Sequence, residues 1–331
     1  MLILAKSVLA LMIGFLLSTF LGLIIIPILK KMKIGQRISI YLANSVHRKK
    51  AGTPTMGGII FILSTIISIA VLFLMGKLDF SYNIFIVIFV LISYASIGFI
   101  DDYLSIKRNN NVGLTEIQKL LLQLLVAIVF FFLYMKSGND PIVEIYTLNI
   151  RINLGFMYGF FILFVLIASA NAVNITDGLD GLAAGLSAIA FLSFGLISWG
   201  AGWVAGYEEI AILCFIMVGS LLGFLIYNSH PAKVFMGDVG SLALGATLAT
   251  IAILTGHELT LVVVAGVFVV ETLVTIIQII TVKLYNKRFF LMTPLHHHFE
   301  KLGWEENDII KLFWVVGFIL GMAGIAFGVW I

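Results

Sequence analysis

The chain has 331 residues, of which 61% are hydrophobic and only 11% charged, with a formal net charge of +3 and a mean hydropathy of +1.13. Water-soluble domains average about 45–50% apolar and roughly 25% charged residues, so a soluble globular protein is excluded, as are disordered and collagen-like chains. The lone cysteine, Cys214, sits in an apolar run and excludes a disulfide scaffold.

A helix needs about 20 mostly apolar residues to cross the bilayer core. Ten runs meet that requirement, at 2–29, 57–75, 82–100, 117–135, 155–173, 181–199, 210–228, 239–255, 260–282 and 309–331. None alternates with the period of a barrel strand, and helices satisfy their own backbone groups in lipid. The sequence therefore predicts an all-α integral membrane protein, a ten-span helical bundle forming a single membrane domain over residues 1–331. The first run is too long for a signal-peptide core and lacks a small-residue cleavage site, so it is expected to stay as an anchor.

Lysine and arginine in short loops set orientation. The first connection carries Lys30, Lys31, Lys33, Arg37, Arg48, Lys49 and Lys50 with no acid, and its side of the membrane holds 16 basic residues against four on the other. That places the first connection in the cytoplasm and both termini outside.

Most chemistry-bearing residues fall on the predicted cytoplasmic side. They lie in His47 to Gly58, at Asp101-Asp102, in Asn171 to Gly181, in Asn228 to Ser241 and in Thr293 to Glu300. Each has a plain alternative. The basic first loop serves as an orientation signal and attracts anionic lipid heads, although Lys50 adjoins the rigid Gly-Thr-Pro-Thr turn. Asp101 and Asp102 end the third run, where a helix dipole disfavours anions, so the pair calls for a counter-cation.

Asn174, Asp177 and Asp180 are spaced to share a helix face, with capping as the plain alternative for either acid. Asp238 follows Gly237 before the eighth run, where it too could cap, and its neighbours Phe235 and Met236 are apolar enough to stack on a base. His296, His297 and His298 cannot all face one point on a regular helix, which argues against a paired zinc motif. A histidine-rich zinc loop remains an alternative, but six candidate acids and no cysteine partner favour Mg²⁺, a hard cation that takes oxygen ligands. Glu271, inside the ninth run, is expected to be paired within the bundle or to mark a break in that helix.

Carboxylates, lysines, histidines and an amide at one interface suit chemistry between phosphates, where charge neutralisation and alignment matter more than covalent catalysis. No Walker A or GxGxxG run is present. A membrane-face site is needed only if one substrate is a lipid. The residues thus point to phosphoryl transfer from a soluble nucleotide-linked donor to a lipid phosphate.

Lys50 with Gly52-Thr53-Pro54-Thr55-Met56-Gly57-Gly58, Asp101-Asp102, the run Asn171 to Gly181, Phe235-Met236-Gly237-Asp238 and Pro294-Leu295-His296-His297-His298-Phe299-Glu300 closely resemble the bacterial phospho-N-acetylmuramoyl-pentapeptide transferase family. The acidic runs resemble the wider polyprenyl-phosphate N-acetylhexosamine-1-phosphate transferase superfamily, and the first and last motifs its muramoyl branch. The resemblance covers the whole chain in order. It implies Mg²⁺-dependent transfer of phospho-MurNAc-pentapeptide from UDP-MurNAc-pentapeptide to undecaprenyl phosphate in the bacterial cytoplasmic membrane, giving lipid I and UMP.

On that resemblance Asp238 would be the Mg²⁺ ligand, and Asp101, Asp102, Asp238 and His296 would be catalytic. Lys50, Thr55, Lys119, Asn174, Asp177, Asp180, Asn228, Phe235, His297 and His298 would bind substrate, with Phe235 stacked on uracil and Lys119 on phosphate. It also implies a homodimer among membrane lipids, and nothing points to a nucleic-acid partner. Two rivals are a UDP-GlcNAc-dependent relative and a secondary transporter. Transporters place polar sites at the midplane between repeated halves, whereas these acids sit at one interface and no repeat is found.

Overall fold

The computed structural model describes residues 3–32, 52–108, 113–145, 150–200 and 207–330. In chain order its helices are α1 (Ile3–Lys31), α2 (Gly58–Leu74), α3 (Tyr82–Arg108), α4 (Glu116–Lys136), α5 (Met157–Thr176), α6 (Leu182–Gly200), α7 (Tyr207–Asn228), α8 (Asp238–Leu254), α9 (Glu258–Val264), α10 (Gly266–Tyr285), α11 (Leu295–Lys301) and α12 (Glu306–Ile325). Eight of the described helices are long and apolar enough to cross a membrane, while α2 and α8 are apolar but have 17 residues each. The chain is a multi-pass, helical integral membrane protein.

The ten apolar runs all become helix, with four departures. The first is that α3 runs on past residue 100 to Arg108, so Asp101 and Asp102 lie inside the helix. The argument from an unfavourable dipole at its end therefore fails, and Lys107 and Arg108 occupy the last turn instead. The second is that the ninth run breaks at Ala265, between α9 and α10, six residues before Glu271.

The third departure is a two-stranded antiparallel sheet between α4 and α5, strands β1 (Ile142–Ile145) and β2 (Ile150–Asn153), paired in register from Ile142 with Asn153 to Ile145 with Ile150. The all-α reading missed it because four-residue strands leave almost no periodic signal. Lastly, His296, His297 and His298 stand on the short helix α11 and not in a loop.

Helices α6, α7 and α8 are apolar on all faces and form the buried centre, as expected of helices without a polar side. Helices α1, α4 and α10 present broad apolar faces outward. Close packing in a bilayer depends on small side chains, and α1 meets α7 through Ser7, Ala10, Gly14, Ser18 and Gly22. A Cβ added at Gly219 of α7 would lie 2.0 Å from the Leu11 carbonyl oxygen. Gly98 does the same for α3 against α8, since a Cβ there would meet the Asp238 carbonyl oxygen at 2.1 Å. This contact brings Asp101 and Asp102, one turn further along α3, to the start of α8.

At the far end of α4 from Lys119, Tyr134 and Tyr158 hydroxyls lie 3.2 Å apart, and the Tyr158 hydroxyl donates to buried Glu258. This network joins α4, α5 and α9 at the end of the bundle that carries the sheet.

Candidate active site

Gly237 precedes α8 with φ +74°, a region that side-chain-bearing residues avoid. A Cβ there would lie 2.5 Å from Asp102 Oδ2 and 2.7 Å from Thr55 Oγ1. The glycine thus lets two other segments close over the start of α8. One is the strap before α2: Phe235 N–H donates to the Pro54 carbonyl at 2.8 Å, and Gly57 and Gly58 N–H donate to the carbonyls of Phe235 and Met236 at 2.8 and 2.9 Å. Thr55 is buried in this pairing.

Asp238 opens α8, where the dipole favours a negative charge. Gly237 is the N-cap and makes no side-chain cap bond, and Asp238 is engaged elsewhere. Its Oδ2 accepts from Lys119 Nζ at 2.5 Å and its Oδ1 from Asn174 Nδ2 at 2.8 Å. Lys119 also stands 3.5 Å from Asp101 Oδ2, while Asp101 Oδ1 accepts from Leu114 N–H at 2.9 Å. Buried Asp102 accepts from Val239 N–H at 3.2 Å. Among the described residues, three carboxylates from α3 and α8 therefore gather here, and Asp101 and Asp238 share the ammonium of Lys119 while Asp102 is held by backbone. The donor set is all oxygen and its charge is under-compensated, which fits a hard divalent cation.

Asp177 is the C-cap of α5 rather than a residue within it, so the expected shared face of Asn174, Asp177 and Asp180 does not form. Asn174 turns to Asp238 and Ser241, and Asp180 turns to a separate group. Burial, then the negative charge of Asp238, Asp102 and Asp180, pushes the Asp177 carboxyl well above the usual carboxylate range.

Asp180 Oδ2 lies 3.1 Å from His230 Nδ1 and accepts from Ala232 N–H at 3.0 Å. Asp180 N–H donates to Glu306 Oε1 at 2.9 Å, and His230 Nδ1 is 3.3 Å from Glu306 Oε2. Ligand atoms of these three residues lie within 4.8 Å of one another, close enough to hold a metal ion. The sequence reading missed His230 and Glu306. No spacing links positions 180, 230 and 306, and Glu306 looks like an ordinary acid in the first turn of α12.

Asn228 is buried and donates to the Val234 carbonyl at 3.0 Å, so it shapes the turn that presents Phe235. Phe235 itself is partly exposed, whereas Met236 is fully buried against Gly240. The expectation that both could stack on a base is corrected to Phe235 alone. The three histidines have different partners: His296 Nδ1 is 3.0 Å from Glu271, His297 Nδ1 is 2.5 Å from Glu300, and His298 Nδ1 accepts from Leu291 N–H at 3.2 Å. Lys50, with His47 to Lys49, lies outside the described residues.

An apolar cavity of about 310 Å³ runs between α5, α8, α9 and α10 from Glu258, at the end that carries the sheet, to Ala172 and Val173, lined also by Phe164, Phe268 and Ile276. Its Ala172–Val173 wall comes directly before Asn174, whose amide holds Asp238.

The glycosyl transferase family 4 model matches residues 84–256, and a phospho-N-acetylmuramoyl-pentapeptide-transferase signature matches residues 50–62. The chain is 47% identical over 324 residues to the phospho-N-acetylmuramoyl-pentapeptide-transferase of Geobacillus sp. (strain WCH70), covering 98% of both chains. It is 44% identical to that of Bacillus subtilis (strain 168), over 97% of both.

The chain belongs to the phospho-N-acetylmuramoyl-pentapeptide-transferase family. The family 4 match runs from α3 to α8 and contains Asp101, Asp102, Lys119, Asn174, Asp177, Asp180, Asn228, Phe235 and Asp238. Its signature covers the strap that closes over Gly237, so the residues diagnostic of the transferase family form a wall of this site. Glu271, His296 and Glu306 lie outside both matches.

Proposed function

We propose that this chain transfers phospho-MurNAc-pentapeptide from UDP-MurNAc-pentapeptide to undecaprenyl phosphate at the cytoplasmic face of the bacterial cytoplasmic membrane, yielding lipid I and UMP. The observation that carries the reading is the meeting of Asp101, Asp102, Asp238 and Lys119, together with an apolar cavity whose Ala172–Val173 wall leads into Asn174, the partner of Asp238. A polar centre for phosphates and a slot for a polyprenyl chain are what a nucleotide-to-lipid transfer needs.

In this reaction a phosphate oxygen of the acceptor attacks the sugar-linked phosphorus, and the pyrophosphate bond to UMP breaks. A phosphate monoester has its second pKa near ~6, so the acceptor is already largely dianionic at neutral pH. Asp101 positions that acceptor and takes up any residual proton. Lys119 neutralises phosphate charge, exchanging its bond to Asp238 for one to substrate. Asn174 keeps the Asp238 carboxylate in one orientation. Phe235 offers its partly exposed ring to the base, and Asp177 and Asp180 line the nucleotide-sugar side.

Asp238, with Asp101 and Asp102 beside it, would hold Mg²⁺, which supplies charge neutralisation to the phosphates when bound. The group at Asp180, His230 and Glu306 is a second place for a cation, favoured by the convergence of its ligand atoms.

The test is purified protein with labelled UDP-MurNAc-pentapeptide, Mg²⁺ and a polyprenyl phosphate. Label should pass to the lipid phase, and UDP-GlcNAc should not replace the donor. Failure to label lipid, or equal use of UDP-GlcNAc, overturns the proposal.

A further inference from the structure

Glu271 is fully buried in the second turn of α10. A carboxylate inside a membrane bundle is costly unless it is fully partnered. Its partners all come from the start of α11. Leu295 N–H donates to Oε2 at 2.6 Å, His296 N–H donates to Oε1 at 3.2 Å, and His296 Nδ1 lies 3.0 Å from the same Oε1. The first N–H groups of a helix have no partner within it, and Pro294, the N-cap of α11, makes no side-chain cap bond. Glu271 therefore caps α11 from a different helix.

Seven residues along α10, Gln278 grips the segment leading to α11. Its Oε1 accepts from Phe289 and Phe290 N–H, both at 3.0 Å, and its amide donates to the Phe290 carbonyl at 3.0 Å. A spacing of seven keeps both residues on one side of α10. The histidine helix is thus mounted on α10 at two points, and α10 lines the apolar cavity with Phe268, Thr272 and Ile276.

An ionised carboxylate can only accept, so the imidazole nitrogen facing Glu271 must donate. The second nitrogen, His296 Nε2, is buried with no hydrogen-bond partner among the described residues. It points at Gly178, between Asp177 and Asp180, where a Cβ would come within 2.2 Å of it.

We infer that Glu271 is a positioning residue for the transfer reaction: it fixes His296 with the neutral ring protonated at Nδ1, so that Nε2 faces the nucleotide-sugar loop as an acceptor. This rests on the activity proposed above, in which the Asp177–Asp180 loop that His296 packs against lines the nucleotide-sugar side. Glu271→Gln keeps the shape but leaves one acceptor oxygen for the three N–H groups that α11 aims at this site, so His296 is no longer held to a single tautomer.

Two measurements test the inference. In ¹⁵N-histidine-labelled protein, with the His296 signal assigned from His296→Gln, wild type should show the Nδ1-protonated neutral ring alone and Glu271→Gln a mixture of the two neutral forms. In steady-state kinetics, Glu271→Gln should lower kcat about tenfold or more, the scale of a misplaced catalytic group. The donor KM should stay within a few-fold, the unfolding midpoint should be little changed, and the mutation should cost nothing further in a His296→Gln background. An Nε2-protonated ring in wild type, wild-type kcat in Glu271→Gln, or losses that multiply in the double mutant would overturn it. Should Glu271→Gln fail to fold, the wild-type spectrum decides alone. Wild-type protein that makes no lipid product contradicts the activity, and that spectrum still judges Glu271.

Discussion

Asp238 is held from two sides, by an amide that fixes one oxygen and by an ammonium that balances the other. A single lysine cannot balance three carboxylates and two incoming phosphates, so turnover should depend on a divalent cation at Asp238. Asp238→Asn is expected to abolish turnover and blunt the Mg²⁺ titration, whereas His230→Ala should leave the Mg²⁺ midpoint in place. A shifted midpoint in His230→Ala with a normal one in Asp238→Asn would move the cation to the Asp180 group. Asp177 carries a stability cost. Its native carboxyl is held well above the usual range, so ionising it disfavours the fold. That cost is absent below about pH 4, where an aspartate in the unfolded chain is also protonated, and it grows as pH rises toward the native value. Without divalent ions, Asp177→Asn should therefore raise the unfolding midpoint more at pH 8 than at pH 5, by roughly 2–4 °C per kcal/mol. An unchanged gap between the two pH values would contradict this. These acids were visible in the sequence as residue types in acidic runs. Their division into an Asp238 group and an Asp180 group was not, because the second group joins residues 50 and 126 positions apart without any period.

Helices carry the arrangement because their glycines sit where other backbones cross. Gly219 is the most demanding of these contacts, since the neighbouring atom belongs to the α1 backbone and cannot swing aside. Gly219→Ala should therefore cost about 1–3 kcal/mol, typical of overpacking, and lower the unfolding midpoint in detergent; an unaltered midpoint would show that α1 and α7 can separate freely. The apolar runs made the helices legible, and the errors lie where apolarity says nothing. α3 continues through Asp101 and Asp102 because its polar last turns lie over Gly113 and the start of α4, with the Arg108 guanidinium donating to the Gly113 carbonyl at 2.6 Å. The break at Ala265 interrupts a run that stays apolar throughout. α11 has seven residues, and its cap comes from Glu271, 24 positions earlier.

At the scale of the whole molecule, the bundle has two chemically different ends. One gathers the carboxylates, the strap and α11; the other carries the small sheet and the Tyr134–Tyr158–Glu258 network. The proposed function needs the first end in the cytoplasm, which is where the excess of basic residues would put it. In a Cys214→Ser background, a cysteine at Asn286 should then be shielded from an impermeant thiol reagent in intact cells, and one at Asn139 should be labelled. The reverse pattern would place the site on the wrong side of the membrane for a nucleotide donor. The central claim is a direct transfer between donor and lipid, without a covalent enzyme intermediate. It is tested by following UMP and lipid product together, with and without polyprenyl phosphate. Direct transfer gives equal amounts of both, and no UMP until the lipid is added. A stoichiometric burst of UMP from lipid-free enzyme, lost in Asp101→Asn, would contradict it.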